Sequence, residues 1–363
     1  MIDFTSSLYL GLKHGSKDLV GWQQLTLGKP SALEAVPGSS EVESELAQIS
    51  GVERAILAPS TLHLFWDLFS IFAKPGVTVF LDDGAYPIVG WGAERAAALG
   101  VPVLQFRHYD VRDLQEKLSR AAAGPVVVAA DGYCTSCGKR APLLGFLDLL
   151  RERSGSLVID DTQALGIFGR SPKPWRPFGS GGGGSLQLTE IRDHNLLVVS
   201  SLAKGFGVPI AVLLGGEAML REYEGKSKTR VHCSPPSAAA IAAATRALKI
   251  NREQGDLLRL RLAQRVAHFR GRLSKLGVLG SNDLFPVQSL QLPSHKRGRD
   301  IYTALLQCGV RTILQRGKQE NCEGITFVIT AEHSETDIDY AATCLSLAIG
   351  LQSQKKGENS DGS

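Results

Sequence analysis

The sequence predicts an α/β fold in which helices flank a mostly parallel sheet, with a smaller C-terminal α/β domain attached. Two observations carry this prediction. Short apolar runs alternate with stretches of helical periodicity between residues 77 and 214, a pattern typical of parallel sheets. A second, shorter alternation of strand and helix follows a long helical region. With 363 residues, of which 43% are apolar, the chain can form a hydrophobic core in a large domain and another in a smaller one.

Apolar runs bounded by turn residues predict the strands of the large sheet. These runs are Val77 to Leu81, Val101 to Phe106, Val126 to Ala130, Leu157 to Ile159, Leu196 to Ser200 and Ile210 to Leu214. The helices predicted between them are Trp91 to Leu99, Val111 to Ala122 and Leu143 to Arg153. Before the first strand, the chain from Glu41 to Ala73 is predicted to be mostly helical, with a break near Pro59 and Ser60.

The C-terminal half begins with a long predicted helix from Ser237 to Leu276, interrupted near Gly255. Strand, helix, strand and helix are then predicted in the order Leu284 to Leu292, Asp300 to Cys308, Ile325 to Thr330 and Asp337 to Ile349. We therefore divide the chain into an N-terminal segment (1–45), a large domain (46–250), a small domain (251–350) and a disordered tail (351–363).

Composition excludes several classes of partner. The net charge is +4 with both signs interspersed, so we expect neither nucleic acid nor a membrane surface as a partner. The start of the chain lacks the pattern of a secretory signal, and we expect a cytoplasmic protein. Among six cysteines only Cys134 and Cys137 are closely spaced. A zinc site would need further ligands of this kind, so we expect thiols of a loop or core and no metal.

The first chemical motif is Val158-Ile-Asp-Asp-Thr-Gln163, an apolar strand that ends in carboxylates. Ligands of open α/β sheets bind at the carboxyl ends of strands. An acid there, such as Asp160, can keep the nitrogen of a pyridine ring protonated. A helix cap or a magnesium ligand is the simpler interpretation of the same residue.

The second motif is Ser200-Ser-Leu-Ala-Lys-Gly-Phe-Gly207, directly after a predicted strand. A lysine in an apolar loop bounded by glycines loses hydration, which lowers its pKa and makes the neutral amine available for Schiff-base chemistry. Lys204 has that position, and Ser201 lies where its hydroxyl can reach a phosphate. The alternative is a lysine that extends into solvent from a strand end.

The third motif is Leu57-Ala-Pro-Ser-Thr-Leu-His63, a turn that enters an apolar helix. Free backbone N–H groups and hydroxyls at a helix start bind phosphate, which makes Ser60 and Thr61 candidate ligands, although Ser60 is also an ordinary N-cap residue. The order of the three motifs, with the phosphate turn first, the carboxylate strand next and the lysine last, resembles that of the type I aminotransferase fold. This resemblance implies pyridoxal 5′-phosphate as cofactor.

The amino-acid sequences of the motifs resemble those of one family of this fold, the α-oxoamine synthases, which include 8-amino-7-oxononanoate synthase. Phe4-Thr-Ser-Ser-Leu-Tyr-Leu-Gly-Leu12 is similar to the family's "F-S-S-N-D-Y-L-G-L". Ile159 to Gly169 and Ser201 to Gly207 are similar to "V-D-D-A-H-G-T-G-V-x-G" and "T-L-G-K-A-F-G". The resemblance implies that Asp160 pairs with the pyridine nitrogen, Lys204 carries the cofactor as a Schiff base and Ser201 binds its phosphate.

Several positions depart from the family pattern. Tyr86 replaces the histidine that stacks on the cofactor ring, and an aromatic side chain preserves the stacking. Gln163 replaces the histidine of "D-D-A-H" that contacts the cofactor's phenolic oxygen. A glutamine can donate a hydrogen bond but cannot shuttle protons near neutral pH. Acid–base help from this position is therefore lost.

The expected substrate-binding region also departs from the family pattern. The family's C-terminal strand carries an arginine that binds the amino-acid carboxylate, whereas Gly324 to Thr330 contains none. Arg316 aligns with another arginine of the family and is the candidate replacement. The interval from Asp160 to Lys204 is 204 − 160 = 44 residues, longer than expected, and includes the glycine-rich tract Gly179 to Ser185. We expect this tract to be a loop that can reshape the substrate entrance.

In the family, active sites lie at a homodimer interface and a segment of the second subunit reaches the phosphate. Val231-His-Cys-Ser-Pro-Pro236 occupies that place here, which makes Ser234 or His232 the candidate ligand, with a helix cap as the alternative. The resemblance implies a homodimeric transferase that condenses an amine or amino acid with an acyl thioester. Transamination, lyase or decarboxylase chemistry on the same scaffold, and a catalytically silent partner subunit, are the alternatives.

Overall fold

A seven-stranded sheet forms the centre of the computed structural model, which describes residues 1–153, 155–280, 283–292, 296–316 and 323–358. In chain order its strands β1 to β7 are Arg54–Ala58, Thr78–Asp82, Val103–Phe106, Val126–Asp131, Ser156–Asp160, Leu196–Ser201 and Ala211–Gly215. Their spatial order is β1-β7-β6-β5-β4-β2-β3. Strand β7 is antiparallel to both neighbours, and the other pairs are parallel. The predicted, mostly parallel α/β fold is confirmed.

Strand β1 was not predicted, because the sequence analysis extends a mostly helical region across it. Helix α1 (Ser39–Ser50) is followed by Gly51 in a left-handed conformation with φ of 73°. The next residues, Arg54–Ala58, then pair with β7 in an antiparallel register. Four of these five residues are buried. A run this short suits a helix or a strand equally well, and pairing with β7, more than 150 residues later, decided between them.

Helices cover both faces of the large sheet. Apolar residues alternate between the two faces: Val79 and Leu81 belong to one buried cluster, whereas Phe80 belongs to the other. This double burial explains why the strands are continuous apolar runs. The helices α1 to α8 are Ser39–Ser50, Thr61–Phe72, Pro87–Ala98, Val111–Arg120, Leu143–Arg151, Gly184–Thr189, Glu217–Lys226 and Lys228–His232.

A single helix, α9 (Ala238–Leu273), links the large sheet to the C-terminal part of the chain, so the interruption predicted near Gly255 is wrong. Glycine at this position leaves room for the side chain of Arg259. A Cβ on Gly255 would lie 2.8 Å from Nη2 of Arg259 and 2.6 Å from Oδ1 of Asn251. The buried Arg259 donates hydrogen bonds to Asn251 and to the carbonyl of Gly166. These contacts favour a continuous helix despite the low helix propensity of glycine.

The C-terminal unit contains a three-stranded antiparallel sheet with the order Val287–Leu290, Glu323–Val328 and Ile313–Arg316. Helices Lys296–Gln307 (α10) and Glu335–Glu358 (α11) pack together beside it. The start of the chain joins this unit, since Ile2–Asp3 pairs in parallel with Val310–Arg311. Helix α11 extends into the segment predicted as a disordered tail, and residues 359–363 lie outside the described residues.

The glycine tract packs beneath α1 and α9. A Cβ on Gly183 would lie 1.9 Å from the carbonyl oxygen of Ile49, and one on Gly182 would lie 2.5 Å from Nη1 of Arg259. The Nδ2 group of Asn251 donates to the carbonyl of Gly181 at 3.0 Å. Glycine is therefore required by close backbone packing. In the described parts of the chain, no helix is long and apolar enough to cross a membrane.

Candidate active site

A cavity of about 450 Å³ opens at the carboxyl ends of β4, β5 and β6. Asp131, Asp160, Gln163, Ser201 and Lys204 line it. Parallel strands bring their carboxyl ends to one edge of a sheet, so residues that follow different strands meet there. The volume lies in the range of about 300 to 1,000 Å³ that small-molecule sites occupy. The structure thus brings together the carboxylate and lysine motifs predicted from the sequence.

Lys204 lies in a tight turn after β6. The turn packs against the 165–166 backbone so closely that a Cβ on Gly205 would lie 2.4 Å from the carbonyl oxygen of Leu165. Burial lowers the pKa of Lys204, and the negative charges of Asp160 and Asp131 partly oppose this effect. A lowered pKa increases the fraction of neutral, nucleophilic amine, as predicted for this residue.

Asp160 is the last residue of β5, and its side chain is buried. Burial raises its pKa, and hydrogen bonds from Thr162 together with the charge of Lys204 oppose the rise. The backbone N–H of Thr162 donates to Oδ1 of Asp160 at 2.9 Å. A buried carboxylate at a cavity wall is stabilised by a cationic group placed against it. The protonated nitrogen of a pyridine ring is such a group, so this acid fits the predicted cofactor.

Asp131 is a second acid of the cavity, which the sequence analysis did not identify as a site residue. It ends β4 and lies opposite Asp160 in the parallel register of β4 and β5. Burial and, after it, the negative charge of Asp160 raise its pKa to about 8, against the lowering effect of a hydrogen bond from the Tyr86 N–H. The signal that could have found it is the one used for Asp160, an acid at the carboxyl end of an apolar strand.

Gln163 and Tyr86 both line the cavity. The Tyr9 hydroxyl donates to Oε1 of Gln163 at 2.6 Å, which leaves the amide N–H₂ of Gln163 as its hydrogen-bond donor. Tyr9 itself is buried, and sequence reasoning missed this contact between residues 154 positions apart. Tyr86 is half exposed at the start of α3. Stacking of this ring on a cofactor stays a prediction.

The candidate phosphate ligands are only partly brought together. Thr61 and Ser201 line the cavity. The described lining does not include Ser60, whose hydroxyl lies 2.8 Å from Nδ1 of His63. Ser234 lies exposed after α8, outside the described lining of this chain's own cavity, and was predicted to act in a second subunit. Their roles as phosphate ligands stay predictions.

Two substrate-side predictions have different outcomes. Arg316 ends a strand of the C-terminal sheet, and its side chain lies outside the described residues, so its role stays a prediction. The glycine tract is not part of the described cavity lining. It instead supports the neighbouring acid, because the Ser185 N–H donates to Oδ2 of Asp161 at 2.9 Å.

Comparison with known proteins identifies the family of this chain. The family described as aminotransferase class I and II matches residues 23–345. An 8-amino-7-oxononanoate synthase of Pseudescherichia vulneris is 25% identical over 350 residues, which are 93% of this chain and 86% of that protein.

Solved structures show the same fold. The 8-amino-7-oxononanoate synthase of Francisella tularensis is 20% identical, with a TM-score of 0.75 over 97% of this chain and 98% of that one. A serine palmitoyltransferase solved with pyridoxal phosphate as an internal aldimine is 19% identical, with a TM-score of 0.78 over 89% and 79% of the two chains. The resemblance drawn from the motifs is thereby confirmed, and the chain belongs to the class I and II aminotransferase family of pyridoxal phosphate-dependent enzymes.

Proposed function

We propose that this enzyme binds pyridoxal 5′-phosphate through Lys204 and condenses an amine or amino acid with an acyl thioester. The observation that carries the proposal is the meeting of Lys204 and Asp160 in one cavity, where burial lowers the pKa of the lysine. The names of the relatives, 8-amino-7-oxononanoate synthase and serine palmitoyltransferase, support acyl transfer. When bound, the cofactor supplies an aldehyde that reacts with amines and a ring that accepts electrons from the substrate's α-carbon.

The residues of this chain have distinct tasks in the proposed reaction. Asp160 would hold the proton on the ring nitrogen, because the buried carboxylate is stabilised by that positive charge. Lys204 would hold the cofactor covalently and, once displaced by the substrate amine, would take the α-proton. A carbon–carbon bond would form between the substrate's α-carbon and the acyl carbonyl carbon, while the carbon–sulfur bond breaks and the thiolate leaves to take a proton from solvent.

Other residues would position the cofactor. Tyr86 would stack on the ring, and the amide N–H₂ of Gln163, fixed by Tyr9, would donate to an oxygen of the bound group. Thr61 and Ser201 would bind phosphate from within the chain, joined by Ser60 and by Ser234 of a second copy in a homodimer. Arg316 is the proposed partner of a substrate carboxylate, and a cytoplasmic location remains a prediction from the sequence.

The proposal is tested with the visible absorption spectrum of the purified protein, followed by borohydride reduction and peptide mapping. We expect a cofactor band and a reduced adduct on Lys204, and no adduct in Lys204→Ala. Purified protein should then release thiol from an acyl thioester only when a suitable amine is present. A colourless protein that takes up no added pyridoxal phosphate would contradict the proposal and favour a silent partner subunit.

Transamination is the second candidate, and the identity of residue 163 favours it. Glutamine cannot exchange protons with an acyl intermediate near neutral pH, so the acyl-transfer steps lose a proton donor that transamination does not require in this place. Incubation with amino acids and keto acids distinguishes the two reactions. Amino-group transfer to a keto acid without thiol release would replace acyl transfer as the function, whereas lyase or decarboxylase activity would give a product from the amino acid alone.

A further inference from the structure

A short hairpin beside the cavity carries two cysteines that the proposed reaction does not use. Its strands are Tyr133–Cys134 and Lys139–Arg140. The N–H of Gly138 donates to the carbonyl of Cys134 at 2.9 Å, and Gly138 has a φ of 68° that favours glycine. This turn brings both thiols to one place, because the Sγ atoms of Cys134 and Cys137 lie within 4.8 Å of each other.

A histidine in the turn after β3 completes the cluster. Nε2 of His108 lies 3.3 Å from Sγ of Cys137, and a ring nitrogen of His108 lies within 4.8 Å of Sγ of Cys134. Its other ring nitrogen, Nδ1, lies 2.6 Å from Oδ1 of the buried Asp82. The ring also stacks on Tyr109 at 3.8 Å between centroids. The carboxylate and the stacked ring therefore fix His108 with Nε2 directed at the thiols.

The backbone is shaped to admit this ring. A Cβ on Gly84 would lie 2.2 Å from Nδ1 of His108, so any other residue there would displace the histidine. Asp82 is further fixed by two backbone donors, the N–H groups of Gly84 at 2.7 Å and Tyr109 at 2.8 Å. A histidine held by a carboxylate on one nitrogen, with the other nitrogen facing soft donors, is the usual arrangement of a metal-binding imidazole.

We propose that Cys134, Cys137 and His108 bind a zinc-class divalent ion. A tetrahedral zinc ion with bonds of about 2.3 Å to sulfur and 2.0 Å to nitrogen separates those two ligand atoms by roughly 3.5 Å, close to the 3.3 Å found between His108 and Cys137. Thiolate and imidazole ligands favour zinc over magnesium or calcium. Each thiol loses its proton to solvent on binding, and two thiolates neutralise the charge of the ion.

The proposed ion would lie at the wall of the active-site cavity. Cys134, Thr135 and Ser136 line the same cavity as Lys204. A bound ion would therefore hold this wall in place, and three protein ligands leave a fourth position for water or a substrate atom. The expectation of no metal from the sequence rested on the lack of a second cysteine pair, whereas here the third ligand is a histidine.

The test is a titration of the reduced, full-length holoenzyme with Co²⁺ after removal of metal by a chelator. Co²⁺ replaces zinc and gives long-wavelength bands in a tetrahedral thiolate site, away from the cofactor's absorption. We expect one equivalent per chain, with these bands lost in Cys137→Ser and in His108→Gln. The matched control is Cys233→Ser, a cysteine outside the cluster, which should bind Co²⁺ like the unmodified protein.

A fourth variant tests the role of Asp82 in positioning the histidine. Asp82→Asn should weaken the affinity for Co²⁺ by about 10- to 100-fold while keeping the spectrum. Circular dichroism and thermal melting establish that each variant is folded. The proposal is overturned if the unmodified protein gives no thiolate bands, if both ligand variants bind Co²⁺ unchanged, or if Cys134 and Cys137 are found as a disulfide in metal-free purified protein. Because no readout depends on turnover, the result stands apart from the proposed reaction.

Discussion

Replacing Asp131 by asparagine should stabilise the cofactor-free protein, and by more at pH 8 than at pH 5. Burial, followed by the charge of Asp160, raises the pKa of Asp131 from 3.8 to about 8. A carboxyl group with a raised pKa binds its proton more tightly in the folded protein than in the unfolded chain. Its contribution to stability is therefore complete below pH 3.8 and is lost as the pH rises to about 8.

The magnitude follows from this interval. Between pH 5 and pH 8 the unfolded group is ionised while the folded group retains most of its proton, and each pH unit costs about 1.36 kcal/mol. Three units give roughly 4 kcal/mol as an upper value. Asparagine keeps the carbonyl oxygen that accepts from the Tyr86 N–H at 3.0 Å and carries no charge at either pH. The variant should therefore not lose this part of its unfolding free energy as the pH rises.

Urea unfolding at the two pH values measures the effect. The difference in unfolding free energy between Asp131→Asn and the unmodified protein should widen by up to roughly 4 kcal/mol from pH 5 to pH 8. The control is Asp148→Asn at an exposed site, which shows the effect of removing one carboxylate outside the cavity. An equal difference for Asp131→Asn at both pH values would refute its assignment as a buried, protonated acid beside Asp160.

Three further substitutions, one of them paired with a control substitution, test the site and its support. Gly205→Ala places a Cβ 2.4 Å from a backbone carbonyl and should lower the unfolding free energy by about 1 to 3 kcal/mol and reduce cofactor uptake. The control is Gly225→Ala, in a helix, where the added Cβ would meet nothing within 4 Å. This change should be neutral or should raise the unfolding free energy by up to about 1 kcal/mol. Equal melting temperatures for the two variants would count against the packing argument. Tyr9→Phe removes the hydrogen bond to Gln163 and should lower the free energy of unfolding in urea by about 0.5 to 1.5 kcal/mol. The cofactor spectrum should also change. An unchanged spectrum would show that Gln163 does not depend on Tyr9 for its position. Asp160→Asn should retain cofactor on reduction and mapping but lose turnover by at least about 100-fold, and full activity would exclude a role for this acid in holding the ring proton.

The sequence predicts those features of this protein that depend on local patterns of apolar and polar residues. Six of the seven strands of the large sheet follow from apolar runs, because strands buried on both faces need few polar residues. Asp160 was identified because it directly follows such a run, and Lys204 because it lies in the loop after another. Strand ends converge at one edge of the sheet whatever the details of packing. The motif resemblance then indicated the cofactor.

Tertiary structure decided what depends on contacts between distant residues. Strand β1 needed a partner that comes much later in the chain, and the continuous helix through Gly255 needed the side chain of Arg259. The hydrogen bond from Tyr9 to Gln163 joins the two ends of a 154-residue interval.

The cysteine cluster shows the same division. Spacing alone identified Cys134 and Cys137 as a pair, but nothing in their neighbourhood indicated a third ligand. His108 reaches them because β2, β3 and β4 lie side by side, which places the residues after β3 next to the hairpin after β4. Local propensity and hydrophobic pattern specify which elements form. Only their packing, stabilised by burial across the whole core, determines which side chains meet at the ends of those elements.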